Sequence, residues 1–270
     1  MSEQPHVLVE EDGAIIVVSL NRPEKLNALT GEVFAGLDEA LLRLRTSDHL
    51  KVMLIQATGR YFCSGVDLKS GHKDKREPAR SATALRENLR TGLWGMHRIY
   101  DEMEHIEKPI VVAHHAMCMG GGLELSLSCD FRLAAASAGY AFPEGKQGTI
   151  PASNGVSRLT RIVGPHWARQ LIMADKPADA QRALIMGLVH EVFPDETFRE
   201  DVMAYCRHLA GLHGETMGAA KLAIELAAEV GRDSARNVER MAASALMLNP
   251  DFLERRNAHI ATVGAKKQPG

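Results

Sequence analysis

Gly120-Gly121-Gly122-Leu123-Glu124-Leu125-Ser126-Leu127 is a glycine triplet running straight into an apolar helix signal. Three successive glycines let backbone approach backbone, or a ligand, closely. They fall where a helix should begin, so unpaired N–H groups and the positive end of the helix dipole face whatever sits there. Alone, the triplet is most simply a tight turn before a core helix. Glu124 changes that balance. The expected helix over 122–128 is apolar on nearly every face, with Leu123, Leu125 and Leu127, and Cys129 follows. A carboxylate among them is largely buried, which is costly without a partner. It reads as half of a structural salt bridge or, more sharply, as an acid or base with a tuned pKa.

Short strands and helices alternate around this segment. Runs at 6–10 and 14–20 are rich in β-branched residues and are split by Asp12-Gly13, a hairpin turn signal. Thr30 can cap a helix carrying Val33, Leu37, Ala40, Leu41 and Leu44 at helical spacing. Residues 52–57 and 110–113 read as short buried strands, 84–105 as a helix, and 131–136 as a further strand. A polar stretch at 70–80 reads as an exposed loop, and its Lys73, Lys75, Arg76 and Arg80 as a solvated charge run. The alternation signals an α/β domain. Beyond Asn154 the pattern is almost wholly helical, with starts near Pro165 and Ala178, a strand at 188–193, and three or four more helices from 197 to about 263.

Two more segments carry candidate chemistry. Phe62-Cys63-Ser64-Gly65-Val66-Asp67-Leu68 follows a buried strand and can open a helix. A glycine at such a turn exposes the next N–H, that of Val66, as a second donor beside Gly121. Two converging donors make an oxyanion hole. Phe142-Pro143-Glu144, followed by Gly148-Thr149-Ile150-Pro151, puts Glu144 in a loop of the kind where functional residues concentrate. Taken alone, Glu144 is simply an exposed loop acid.

Together these segments resemble the crotonase superfamily, the enoyl-CoA hydratases and isomerases, over nearly the whole chain. The carrying residues are Asn21-Arg22-Pro23 with Leu26-Asn27-Ala28-Leu29, the 62–68 and 120–124 segments, Cys129-Asp130, 142–144 with 148–151, Arg158-Leu159, and Gly187-Leu188-Val189. The resemblance implies an α/β fold, a spiral of ββα turns over 1–200. A helical C-terminal part over 201–270 would support trimers, often paired into hexamers. A soft boundary falls near 195–205. It implies that the N–H groups of Val66 and Gly121 hold a thioester oxygen. It implies that Glu124 activates a water and that Glu144 donates a proton. Lys25, Leu26, Ala28, Ser64, Asp67, Leu68, Lys69 and Gly120 match positions that contact coenzyme A or substrate. Arg255 lies where the family often has a basic residue reaching the phosphates, sometimes across a subunit boundary.

The implied activity is hydration of a 2-enoyl-CoA. Coenzyme A arrives as part of the substrate, and no metal or separate cofactor is expected. Isomerisation, or lyase or hydrolase action on a specialised acyl-CoA, are the alternatives within the enzyme class. An RNA-associated binding protein is the alternative outside it. Two departures bear on the acyl group. His115-Ala116 stands where the family commonly has Asn-Gly, and Ala152-Ser153-Asn154-Gly155 stands where hydratases are richer in glycine.

Composition narrows the rest. The net charge is −2, with basic residues spread along the chain, which argues against a nucleic-acid or anionic-membrane binder. The 4 cysteines (Cys63, Cys118, Cys129 and Cys206) form no CxxC pair. Their apolar surroundings suit reduced core thiols. The first residues carry acids and no apolar stretch, and no run reaches about 18 apolar residues, so a cytoplasmic protein without a membrane span is expected. Met117, Met119, Met241 and Met247 read as core or acyl-pocket filler, and His114 and His115 as core or loop residues.

Overall fold

The structure is a computed structural model that describes residues 4–67, 81–92 and 94–265. Leu68, Lys69 and the expected loop at 70–80 lie outside these residues.

The strands follow directly from the apolar runs. β1 (Val7–Asp12) and β2 (Ile15–Leu20) pair antiparallel across a tight turn in which Gly13 has φ +60°. β3 (Val52–Ala57), β4 (Ile110–His114), β6 (Phe131–Ala135) and β9 (Glu191–Phe193) then join in parallel. The result is one six-stranded sheet, ordered β1-β2-β3-β4-β6-β9. Every residue of β2 and β4 is buried, Ser19 and His114 included, as expected of mostly apolar strands covered on both faces.

A second layer was not visible as strands in the sequence. β5 (Cys118–Met119), β7 (Gly139–Ala141) and β8 (Ala178–Asp179) form a three-stranded sheet, and Cys63 extends it by a parallel bridge to Cys118. Pieces of two or three residues are too short to show a period of two. They explain the architecture, however. Three times the chain makes a strand in the large sheet, a step into the small one, and then helix. The first turn is β3, Cys63, then α2 (Ala82–Gly92) and α3 (Trp94–His105). The second is β4, β5 and α4 (Gly121–Ser126). The third is β6, β7, a 3-10 turn (Pro143–Gln147) and α5 (Gly155–Ala168). This is the ββα spiral the sequence implied.

α1 (Gly31–Thr46) is capped by Thr30, whose side chain accepts the Val33 N–H at 3.4 Å. Its buried face is Val33, Leu37, Ala40, Leu41 and Leu44, and it packs on β1, β2 and α3. α5 carries a kink at Gly164 (φ 73°, ψ 164°), so the helix expected near Pro165 is the second of two helical stretches. α6 (Ala180–Ile185) follows β8, and α7 (Phe198–Ala210) packs on β2, β3 and β6.

The chain forms two compact units, 1–212 and 213–270. The second holds α8 (Gly214–Glu229), α9 (Arg232–Met247) and α10 (Pro250–Ala265). α8 buries only Gly218 and α9 only Ala235. Met241 and Met247, expected as core or acyl-pocket filler, are 72% and 59% exposed. Three helices enclose too little volume to bury their large apolar side chains. Among the described residues no helix is long and apolar enough to cross a membrane.

The fully buried His114 ties the two sheets to α4. Its Nε2 lies 2.8 Å from Ser126 Oγ, and its Nδ1 3.1 Å from the Tyr140 hydroxyl. Ser126 donates its one proton to Gly122 O at 2.8 Å. Nε2 is therefore the protonated nitrogen, and Nδ1 accepts from Tyr140. Burial, with the charges of Arg132 and His115, pushes the His114 pKa down to about 3. The folded state thus keeps His114 neutral while the unfolded chain protonates below its ordinary 6.5. The unfolded state binds more protons in that window, so this contribution to stability falls as pH drops. We expect wild type to lose about 2 kcal/mol between pH 6.5 and 5 relative to His114→Asn, which removes the titration from both states. Urea denaturation of both proteins at each pH checks this, and a constant difference contradicts it.

Candidate active site

The site forms where two glycine turns touch. Gly65 has φ +100° and Gly120 φ +54°, conformations that side chains rarely adopt. A Cβ on Gly121 would lie 2.8 Å from Val66 Cγ2 and 3.3 Å from Val66 N. One on Gly65 would lie 3.4 Å from Gly121 N. The Val66 and Gly121 N–H groups are therefore neighbours, and neither meets an acceptor among the described residues.

Backbone bonds hold each turn in place. Leu29 N–H donates to Gly65 O (2.8 Å) and Asp67 N–H to Leu29 O (2.9 Å). Gly120 N–H donates to Ala141 O (3.0 Å), and the Tyr100 hydroxyl to Gly121 O (3.3 Å). The described part of this segment, 62–67, is pinned by two isolated bridges, Cys63 with Cys118 and Val66 with Leu29, and the helix expected to open from it would lie beyond Asp67, outside the described residues.

Glu124 projects from α4 into this corner and is only 4% exposed. Its Oε1 accepts the Ser153 N–H at 2.7 Å, and the Gly155 N–H lies near enough to favour the ionised carboxylate. Gly155 permits that approach, because a Cβ there would sit 2.7 Å from Oε1. Glu124 has no ion pair among the described residues, so the salt-bridge reading falls. Burial pushes its pKa up to about 7; the Ser153 and Gly155 N–H groups oppose the shift and the Glu144 charge adds to it.

Glu144, in the 143–147 turn, is half-buried rather than an exposed loop acid. Its Oε1 lies 2.8 Å from where a Cβ on Gly120 would be, and its Oε2 is buried with no hydrogen-bond partner among the described residues. Burial, with the Asp175 charge, raises its pKa. The two carboxylates and the two N–H groups thus gather around 120–124. Such a set can stabilise charge on one oxygen while moving protons nearby.

The remaining candidates separate into groups. Residues 25–28 lie against 64–67: Ser64 N–H donates to Leu26 O at 3.0 Å. Lys25 is exposed, Leu26 half-buried with φ 53°, and Ala28 buried. Asp67 pairs with Arg22 at 2.7 Å. Leu68 and Lys69 lie outside the described residues. Arg255 is on α10 of the second unit and is exposed. Next to Val66, a cleft of about 410 Å³ is lined by Phe34, Ala35, Met96 and Ile99 and by the Asp38–Arg98 ion pair. His115 bonds Gly59 O at 2.7 Å. Among the described residues no group of three His, Cys, Asp or Glu side chains is placed to hold a metal.

Sequence reasoning missed the role of Asn27. Its buried amide donates to Thr58 O (2.7 Å) and Tyr61 O (2.9 Å) and accepts the Arg22 N–H (2.7 Å), stitching the 22–29 strip to the loop after β3. Its place in Leu26-Asn27-Ala28-Leu29 was the only signal.

Comparison with known proteins bears on the family and the fold. The sequence profile of the enoyl-CoA hydratase/isomerase family matches residues 10–260. The short-chain-enoyl-CoA hydratase of Clostridium acetobutylicum is 33% identical over 191 residues, covering 70% of this chain and 69% of that protein. The carnitinyl-CoA dehydratase of Salmonella enteritidis is 31% identical over 233 residues, 86% of this chain and 81% of that one. The crystal structure of an enoyl-CoA hydratase from Bacillus anthracis superposes with a TM-score of 0.86 at 27% identity, covering 95% of this chain and 96% of that one.

The buried carboxyl carries a stability cost with a definite sign. Glu124 titrates near 7 when folded against its ordinary 4.5. The folded state binds more protons between those values, so this contribution to stability falls as pH rises through the window. Glu124→Gln should therefore stabilise the protein at pH 8 by about 1–3 kcal/mol, with little gain at pH 4.5. Denaturant unfolding at both pH values measures it, and equal or lower stability of the variant at pH 8 contradicts it.

Proposed function

The chain belongs to the enoyl-CoA hydratase/isomerase family, and from that premise we propose that it adds water, syn, to a 2-enoyl-CoA thioester through an oxyanion-stabilised enolate. This makes it a lyase of the hydro-lyase type. The observation that carries the reading is the pair of glutamates, each with its pKa raised by burial, beside two N–H groups that meet no acceptor among the described residues.

Addition of water to the β-carbon builds negative charge on the thioester oxygen. The N–H groups of Val66 and Gly121 receive that oxygen and stabilise the charge, an effect typically worth about 10²–10³ in rate for each donor. Glu124 removes a proton from the water. Its Oε1 is held by N–H donors that favour the ionised form, and a pKa of about 7 makes it an effective base near neutrality. Glu144 then delivers a proton to the α-carbon. Its partnerless buried oxygen favours the protonated form, which supports the donor role. Isomerisation moves one proton between two carbons and can run with a single carboxylate; hydration uses both.

The strip at 25–28 with Ser64, Asp67, Leu68, Lys69 and Gly120 is the proposed coenzyme-A contact, and Arg255 a proposed phosphate contact. The apolar cleft beside Val66 suits the acyl group. The substrate is an acyl-CoA thioester.

The deciding experiment uses crotonyl-CoA and a matched 3-enoyl-CoA in 18O water. We expect faster turnover of the 2-enoyl substrate with solvent oxygen in the product. Glu124→Gln and Glu144→Gln should each lower hydration at least about 10³-fold with much smaller effects on acyl-CoA binding. Preference for the 3-enoyl substrate, or near-normal turnover of either variant, would overturn the reaction or that residue's role.

We further propose a trimer or hexamer assembled through the C-terminal helices. Leu222, Ile224, Met241, Met247, Leu248, Leu253 and Ile260 are all exposed in the second unit, more apolar surface than a solvated helical unit ordinarily shows. Light scattering at micromolar concentration should give a multiple of three times 29.5 kDa, and a monomer would contradict it.

A further inference from the structure

We propose that Asn154 is a positioning residue for the Glu124 carboxylate, tying the turn Ser153-Asn154-Gly155 to Asp101 on α3. The proposal rests on Glu124 being the base. Asn154 has φ 65° and ψ 8°, the left-handed region that glycine enters freely and asparagine tolerates. The residue before it donates its N–H to Glu124 Oε1 at 2.7 Å, and the residue after it, Gly155, lies close against the same carboxylate, its N–H helping to hold the ionised form. Peptide planes are rigid, so the relative aim of the two groups is set by the φ and ψ of residues 153 and 154, and the left-handed turn at 154 is half of that hinge.

A glycine would meet the backbone requirement alone. The asparagine side chain adds a tether, its Nδ2 donating to Asp101 Oδ1 at 3.3 Å. Asp101 is itself held. Arg158 Nη2 donates to the same oxygen at 2.8 Å, and Arg158 grips Glu104 through Nε and Nη2, each at 2.6 Å. The Arg158 side chain is only 9% exposed. Asn154 O accepts the Arg158 N–H at 3.0 Å, closing the loop back onto α5. The residue before Asp101 is Tyr100, whose hydroxyl bonds Gly121 O. One helix, α3, therefore braces both the turn behind Glu124 and the turn that presents the Gly121 N–H.

The charged and titratable groups around Glu124 are Glu144 from the 143–147 turn and Tyr100 from α3. Those around the tether are Asp101 and Glu104 on α3 and Arg158 on α5. Asn154→Gly changes none of them and keeps the left-handed turn accessible. It removes the tether and loosens the backbone at 154, both of which act on the aim of the N–H groups. Looser N–H donors stabilise the carboxylate less, so the Glu124 pKa rises.

The test follows crotonyl-CoA hydration against pH in wild type and Asn154→Gly. We expect kcat to fall about 10- to 100-fold, KM to stay within about twofold, and the acidic limb of the kcat profile to move to higher pH. In parallel, 13C-glutamate NMR, with the Glu124 signal assigned by its loss in Glu124→Gln, should show a higher midpoint in Asn154→Gly without any need for turnover. If the midpoint and the limb stay at their wild-type positions and only the unfolding temperature falls, Asn154 is structural and the proposal fails. If the midpoint rises while turnover is unchanged, the tether stands and the assignment of Glu124 as the base fails.

Discussion

A carboxylate buried without a countercharge must be held by dipoles, and most of the first unit is arranged around that requirement at Glu124. Among the described residues its carboxylate is held by the Ser153 backbone N–H and side chain, with the Gly155 N–H close by. Those N–H groups point at it only because Asn154 turns left-handed and Gly155 lacks a Cβ. A lysine or arginine in their place would have driven the pKa far below neutrality and left a poor base. Backbone dipoles hold the ionised form in place without that loss of basicity.

The second constraint is steric. Val66 and Gly121 present their N–H groups side by side only where two turns reach van der Waals contact, and Gly65, Gly120 and Gly121 make that contact possible. The ββα spiral supplies the geometry. Each turn steps from the large parallel sheet into the short second layer, bringing the loops after β3 and β4 to the same edge. His114, Ser126 and Tyr140 then fasten that edge from beneath through a fully bonded buried network. Such a network rigidifies only when every member is satisfied.

His114 and Glu124 also show that burial acts on charge rather than on residue type. Burial disfavours the charged form of both groups, so one resists gaining a proton and the other resists losing one. Their effects on stability therefore oppose one another across mildly acidic pH. The core histidine serves the scaffold, and the carboxyl near neutrality serves the chemistry.

The sequence by itself determined the short buried strands, the capped helix α1 and the buried place of Glu124. Each is a local pattern: mostly apolar runs at 52–57 and 110–113, a Thr cap three residues before Val33, an acid inside an apolar helix. The order and spacing of its motifs also determined the family. Three things were decided only in the folded chain. Glu144 looked like a solvated loop acid until the 143–147 turn packed its carboxyl against Gly120. Met241 and Met247 read as filler, yet face outward from the helices of the second unit. The hold of Ser153, Gly155 and Asp101 on the site joins residues 29 and 53 positions apart. Periodicity and propensity report on neighbours along the chain, whereas a buried carboxylate is satisfied by whatever the fold brings to it from elsewhere.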